Sequence, residues 1–212
     1  NQVRIQRIGI DNAGLSVPEL RRGDAQVVHI SPTHHYPTGA VMPIGRRREL
    51  LRWAAEQPER DILEDDYDSE FRFVGRPIPT LYSTDENQCV VYLNTFSKTI
   101  APSIRISYMI LPPRLLERYR DKLGFYACTV SGFEQSTLAK FLQQGHFERH
   151  LGRMRTRYRQ KRDRVISDFL QGPLAGRVQI TGQDTGLHFL AELHTALPDE
   201  ELPRRASEAG LR

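Results

Sequence analysis

Lys98 follows an apolar run, Cys89 to Leu93, and a short link that carries hydroxyls, Asn94-Thr95-Phe96-Ser97. A lysine delivered to the end of a buried strand is costly unless its amine is paired or reactive, because desolvation opposes the charged form. A neutral amine is what attack on an aldehyde requires, so the position suits a Schiff-base lysine. A surface lysine in a loop is the competing reading. Thr95 and Ser97 before it and Arg105 seven residues after it would suit a phosphate, the arginine through charge-assisted hydrogen bonds. A buried ion pair is the other role open to Arg105. Amine, hydroxyls and guanidinium together point to pyridoxal 5′-phosphate (PLP).

That cofactor needs a carboxylate at its ring nitrogen, to keep the ring protonated and able to accept electrons. Asp65 ends the apolar run Ile62-Leu63 and is placed for this, although Glu64, Asp66 and Asp68 beside it also fit a solvated acidic loop. Tyr67 could donate to the ring 3′-oxygen or be a structural tyrosine. Pro37-Thr38-Gly39 would turn the chain tightly beside the ring, or is a plain turn. His34 and His35 are adjacent, so they face different ways on an extended chain. They lack the i, i+4 spacing of a helical metal pair, and no metal site is expected there.

The elements that must position these groups follow from periodicity. Val3 to Ile10 alternates as a strand, Leu15 to Arg22 reads as a short helix capped at Ser16, and Ala25 to Ile30 is a second strand that ends in the loop 31–39. A helix is predicted over Gly45–Glu56, a short strand at Ile62-Leu63, a loop over 69–88, and strands at Cys89–Leu93 and Ile106–Leu111. Pro112-Pro113 then opens a helix through Lys122. Near-continuous apolar strands separated by helices predict an α/β fold with a mostly parallel sheet flanked by helices. Ligands in such sheets bind beyond the carboxyl ends of the strands, where the loop 31–39, Asp65 with Tyr67, and Thr95 to Lys98 all fall.

Beyond Ser131 the pattern changes. Helices are predicted over Phe133–Gln144 and about Phe147–Leu170, then antiparallel strands at Val178–Ile180 and His188–Leu193, and a helix beginning within Pro198–Ala209. Residues 1–145 are expected to be part of a large cofactor-binding domain. Residues 146–212 are expected to be a connecting helix and part of a smaller α+β C-terminal domain. Arg149, Arg153, Arg155, Arg157, Arg159, Arg162 and Arg164 could form a DNA-facing patch. The apolar stripe of the same helix favours reading them as its solvated face.

Composition is that of a soluble chain: 39% hydrophobic and 26% charged over 212 residues, with a formal charge of +4 that permits a nucleic-acid partner without arguing for one. No apolar run approaches the roughly 18 residues of a membrane span, and no signal peptide is visible. The two cysteines, Cys89 and Cys128, have no metal or redox spacing and read as reduced thiols of a cytoplasmic protein. The chain opens inside a strand-like pattern and stops without a closing element, as a piece of a longer protein would.

Three blocks of this sequence resemble one family. They are Pro32-Thr33-His34-His35-Tyr36-Pro37-Thr38-Gly39, Glu64-Asp65-Asp66-Tyr67-Asp68-Ser69-Glu70-Phe71, and Thr95-Phe96-Ser97-Lys98 continuing to Arg105-Ile106-Ser107-Tyr108-Met109. Together they are similar to the fold-type I aminotransferase superfamily, and more closely to the MocR/GabR type of GntR transcription regulators. The resemblance implies that Lys98 links PLP as an internal aldimine, that Asp65 meets the pyridine nitrogen and Tyr67 the 3′-oxygen, and that Arg105, Thr95 and Ser97 hold the phosphate. Tyr36 stands where enzymes carry the ring-oxygen asparagine, which implies a sensor rather than an efficient transaminase. It also implies an effector-sensing domain that exchanges its lysine bond with an amino acid or amine effector. Its further implications are a homodimer in the cytoplasm, no membrane association, and DNA binding through a winged helix-turn-helix outside this chain. The first part of the aminotransferase-like domain and the arginine for a substrate carboxylate would also lie outside it. A catalytic aminotransferase acting on an amino acid is the alternative.

Overall fold

The structure is a computed structural model that describes residues 3–211. It begins with a small antiparallel ribbon, β1 (Ile10–Asp11) against β2 (Gly14–Leu15). The strand expected over Val3–Ile10 is otherwise not formed. Val3 and Ile5 are both 83% exposed, and no strand lies beside them among the described residues. Alternation becomes a strand only where a neighbour completes the ladder. Helix α1 (Val17–Arg22) follows the expectation: Ser16 accepts the Glu19 N–H, Pro18 occupies the first turn, and Val17 and Leu20 are buried.

The central sheet has the order β3 (Val27–Ile30), β4 (Asp61–Asp65), β5 (Val90–Thr95), β6 (Ser107–Ile110). The first three strands run parallel and β6 returns antiparallel. Between β3 and β4 lies α2 (Ile44–Ala55), and α3 (Leu81–Thr84) precedes β5. Leu20 of α1, Leu50, Trp53 and Ala54 of α2, and Leu81 of α3 pack on Val28, Ile30, Ile62 and Val90 of the sheet as one core. All four residues of β6 are exposed. The parallel order with helical crossovers is the expected mostly parallel α/β sheet.

A single turn, α4 (Phe96–Thr99), leaves β5, and α5 (Pro113–Leu123) follows β6. Next come α6 (Gly132–Gln143), opened by a Ser131/Glu134 capping box, and the long α7 (His146–Gln171). The antiparallel pair β7 (Val178–Thr181) and β8 (Leu190–Leu193), then α8 (Glu201–Glu208), complete the described chain. The inner face of α7 buries Leu151 with Phe71 and Phe73, and Phe147, Met154, Tyr158 and Leu187 pack around them.

Three arginines of α7 reach back to loop carbonyls, although Arg155 and Arg159 stay exposed as expected and only Arg162 is half-buried. Arg155 donates to the Glu70 carbonyl, Arg159 to the Phe73 carbonyl (3.1 Å) and Arg162 to the Gln183 carbonyl (3.0 Å). Arg162 also lies over the Phe73 ring at 4.7 Å. A long arginine reaches unpaired loop carbonyls while its stem packs on apolar surface, which sequence spacing does not reveal. Cys89 and Cys128 are free thiols. Burial, with Asp85 beside it, pushes the Cys89 thiol up to about 12.

Candidate functional site

Parallel β3, β4 and β5 deliver their carboxyl ends to one edge of the sheet. Antiparallel β6 starts from that same edge, with Ser107 opposite Thr95. The topology therefore collects the loop 31–39, Asp65 with Tyr67, Thr95 to Lys98, and Arg105 at one place. Arg105 joins them only because β6 reverses direction.

Thr95 is the N-cap of α4: its hydroxyl accepts the Ser97 N–H (3.1 Å) and donates to the Ile106 carbonyl (3.2 Å). Its proton is thus engaged inside the turn, and the Ser97 side chain is half-buried beside it. Lys98 is exposed, with no hydrogen bond or ion pair among the described residues. The expected burial of this lysine is corrected by α4: the turn carries residue 98 outward and gives the buried position to Thr99. Arg105 is also exposed and takes no part in an ion pair among the described residues, so the buried-pair alternative is not what the structure contains. Its backbone is left-handed, φ 49° and ψ 32°, at the end of the 3-10 turn Pro102–Ile104. Such a conformation costs an L-residue with a Cβ about 1–2 kcal/mol and is typically held at functional turns.

Asp65 closes β4 half-exposed, its Oδ2 3.6 Å from Nε2 of His29 on the neighbouring strand. The nearby carboxylate raises the His29 pKa above its ordinary value despite an opposing desolvation. The Tyr67 hydroxyl donates to the His34 carbonyl (3.0 Å). Burial, then the Asp68 and Asp65 charges, raise the Tyr67 phenol well above its ordinary range. Tyr36 is 70% exposed on its loop, edge-on to the His188 ring with centroids 5.3 Å apart.

Three arrangements around the edge escaped sequence reasoning. Asp66 accepts from Tyr92 and Ser69 (both 2.8 Å), while Asn94 joins the Tyr92 hydroxyl (2.9 Å) to Glu70 (3.2 Å). Buried Arg47 donates to the Met42, Pro32 and Pro79 carbonyls and lies 3.7 Å from buried Glu64, which accepts the Leu81 and Tyr82 N–H groups. Burial outweighs that pairing: it raises the Glu64 carboxyl and lowers the Arg47 guanidinium. Third, His34 Nδ1 meets Asp68 Oδ2 at 3.0 Å, the same oxygen accepts the Leu187 N–H (2.9 Å), and the His188 ring lies on His34 with centroids 3.9 Å apart. Gly186 makes room for this cluster: a Cβ there would stand 1.8 Å from His34 Nδ1, and its φ is +73°. His34, Asp68 and His188 offer ligand atoms within 4.8 Å of one another. The carboxylate oxygen, however, already carries two donors, and the two rings meet by their faces. Asp68 and His34 were legible as parts of motifs; His188 comes from a distant segment with no local signal.

A cleft of about 690 Å³ between the 3–10 segment and β3 is lined chiefly by apolar groups, Ile8, Leu15, Val28 and Ile30 among them, and contains none of the predicted site residues. The candidate site is the strand-end edge, where the reactive groups converge.

The fold is that of the fold-type I PLP-dependent aminotransferases. Kynurenine aminotransferase from Pyrococcus horikoshii superposes with a TM-score of 0.83 at 27% identity, over 96% of this chain and 52% of that one. LysN, the α-aminoadipate aminotransferase of Thermus thermophilus, gives 0.82 at 25% identity, over 98% and 55%. In sequence the chain stands nearer to regulators. It is 38% identical over 212 residues to the HTH-type transcriptional regulator YdeL of Bacillus subtilis, covering 100% of this chain and 45% of that protein. It is 34% identical to the probable rhizopine catabolism regulatory protein MocR of Rhizobium meliloti, over 95% of this chain and 41% of that protein. The chain is thus a homologue of the MocR-type HTH transcriptional regulators, matching them in a segment that has the aminotransferase fold. It spans about half the length of the curated relatives it matches. No protein-family model matches it.

Proposed function

We propose that this chain is the PLP-binding, effector-sensing part of a MocR-type transcription regulator. The observation that carries the reading is the convergence of Lys98, Asp65 and Arg105 on one edge of an aminotransferase fold, in a chain whose sequence relatives are HTH-type regulators. Residues 1–145 are read as part of the large domain and 146–212 as the connecting helix and part of the small one.

The donor set fits the cofactor. The edge holds an exposed amine, a half-exposed carboxylate one strand away and an exposed guanidinium held in a strained turn. When bound, PLP supplies an aldehyde for primary amines and an electron-withdrawing ring. Lys98 supplies the amine that anchors it. Asp65 holds a proton on the ring nitrogen, with His29 behind it fixing the carboxylate's orientation. Arg105 and Ser97 hold the phosphate, and Thr95 sets the turn that presents them. Tyr67, whose hydroxyl donates to the His34 carbonyl here, would serve the 3′-oxygen, and Tyr36 of the loop 31–39 would stand beside the ring. An amino acid or amine effector competes for the anchoring position, and the change is passed to an HTH region outside this chain that binds DNA. A cytoplasmic homodimer completes the reading; no helix of the described chain is long and apolar enough to cross a membrane.

Catalytic amino transfer is the second reading, favoured by a 26% identical relative, the aromatic-amino-acid aminotransferase 1 of Thermococcus litoralis. One experiment separates them. Full-length protein loaded with PLP is titrated with amines while the visible absorbance, operator affinity and keto-acid release are followed. The regulator reading expects an absorbance change and altered operator affinity without multiple turnovers. Sustained keto-acid release with no effect on DNA binding would overturn it.

A further inference from the structure

Two imidazoles beside the proposed cofactor edge have polar atoms without partners. His34 is 1% exposed, and its Nε2 makes no hydrogen bond among the described residues; the same holds for the buried Nε2 of His188. Such orphans are rare in folded proteins, since each forfeits about 1–3 kcal/mol of hydration. The rings are not placed at random. Nδ1 of His34 is engaged with the Asp68 carboxylate, and its buried Nε2 is left without a partner. The Leu187 N–H holds Asp68 from the other side, and Gly186 leaves room that the His34 ring and the Asp68 carboxylate occupy.

His188 reaches this place from the segment between β7 and β8 and lies across His34 and Tyr36. Burial, followed by the neighbouring His34, lowers its pKa below the ordinary value, only partly offset by Asp68. The ring is therefore a neutral donor and acceptor at neutral pH, suited to a hydroxyl and poorly suited to a carboxylate, which an imidazolium would favour. Tyr36, against which it rests, belongs to the loop assigned above to the ring.

We infer that His188 is a specificity-determining residue for the effector, hydrogen-bonding a hydroxyl of the amino compound that reaches the edge bearing Lys98. This rests on the reading of the chain as a PLP-dependent sensor. A site built around a buried hydrogen-bonding group discriminates strongly against the analogue that lacks the hydroxyl, because the group then stays unpaired.

The test uses full-length protein loaded with PLP and paired probes: ethanolamine, propanolamine and butanolamine against ethylamine, propylamine and butylamine. Apparent affinities are read from the cofactor's visible absorbance, and the readout is the ratio within each pair, so partial cofactor occupancy cancels. At least one pair is expected to favour the alcohol by roughly tenfold or more. His188→Phe should bring that ratio close to unity, and His188→Gln, which keeps a neutral donor and acceptor, should retain most of it. An unchanged ratio in His188→Phe, or no preference for any alcohol in the wild type, overturns the inference and leaves the sensor reading standing. A wild type that shows no cofactor band at all overturns the sensor reading, and this inference with it.

Discussion

Glu70 shows how the site's residues are set against their own solvation. Burial raises its carboxyl above the ordinary 4.5, and Asp66 and Asp68 add to this, while the Asn94 amide opposes it. One of its oxygens, Oε2, is buried without a partner. A raised acid binds more protons folded than unfolded, so its cost to stability is absent below about pH 4.5 and grows as pH rises through the folded pKa. Glu70→Gln is accordingly expected to raise the urea midpoint at neutral pH, with the gain vanishing at about pH 4. Asp65 argues in the other direction, as a carboxylate kept available. Asp65→Asn should weaken PLP binding by full-length protein about tenfold or more, the worth of one charge-assisted hydrogen bond, as read by cofactor titration. That Lys98, Asp65 and Arg105 fall at one edge of the sheet was legible because these residues lie at the ends of apolar runs. The exposure of Lys98 was not, since it depends on a four-residue turn whose cap is set by Thr95.

Elements show the same division. α2 and α7 carry a helical apolar period and were predicted nearly to their ends. β6 has the same apolar run as its neighbours, and nothing local marks it as antiparallel. The short α3 lay inside a predicted loop: Thr80 caps it, and Glu64, distant in sequence, receives its first N–H groups. A helix held by remote partners leaves no periodic signature. Two substitutions test the elements that frame the edge. Thr95→Val removes the cap of α4 and should cost about 1 kcal/mol by chemical denaturation. Gly186→Ala places a Cβ against His34 at positive φ and should cost about 3 kcal/mol or more.

At the scale of the molecule, the site is assembled from both ends of the described chain. Asp68 ties the loop after β4 to the segment before β8 through Leu187, Gly39 and Gly182 approach closely enough that a Cβ on either would clash, and Arg162 fastens Gln183 to α7. Two of these closures, Asp68–Leu187 and Gly39–Gly182, join residues more than a hundred positions apart. The three motifs were therefore legible in the sequence, whereas the packing of His188 on His34 and Tyr36 was not. Ligand that binds the folded form alone raises stability by mass action, about 2.7 kcal/mol at a hundredfold excess over Kd. PLP should accordingly raise the melting temperature of full-length protein, and less so in Arg105→Ala.

The most direct measurement is to reduce PLP-loaded, full-length protein with borohydride and map the modified peptide by mass spectrometry. A phosphopyridoxyl group is expected on Lys98 and is expected to be absent from Lys98→Ala. Its appearance on Lys122, Lys140 or Lys161, or unaltered labelling in Lys98→Ala, would contradict the assignment of this strand-end lysine as the anchor.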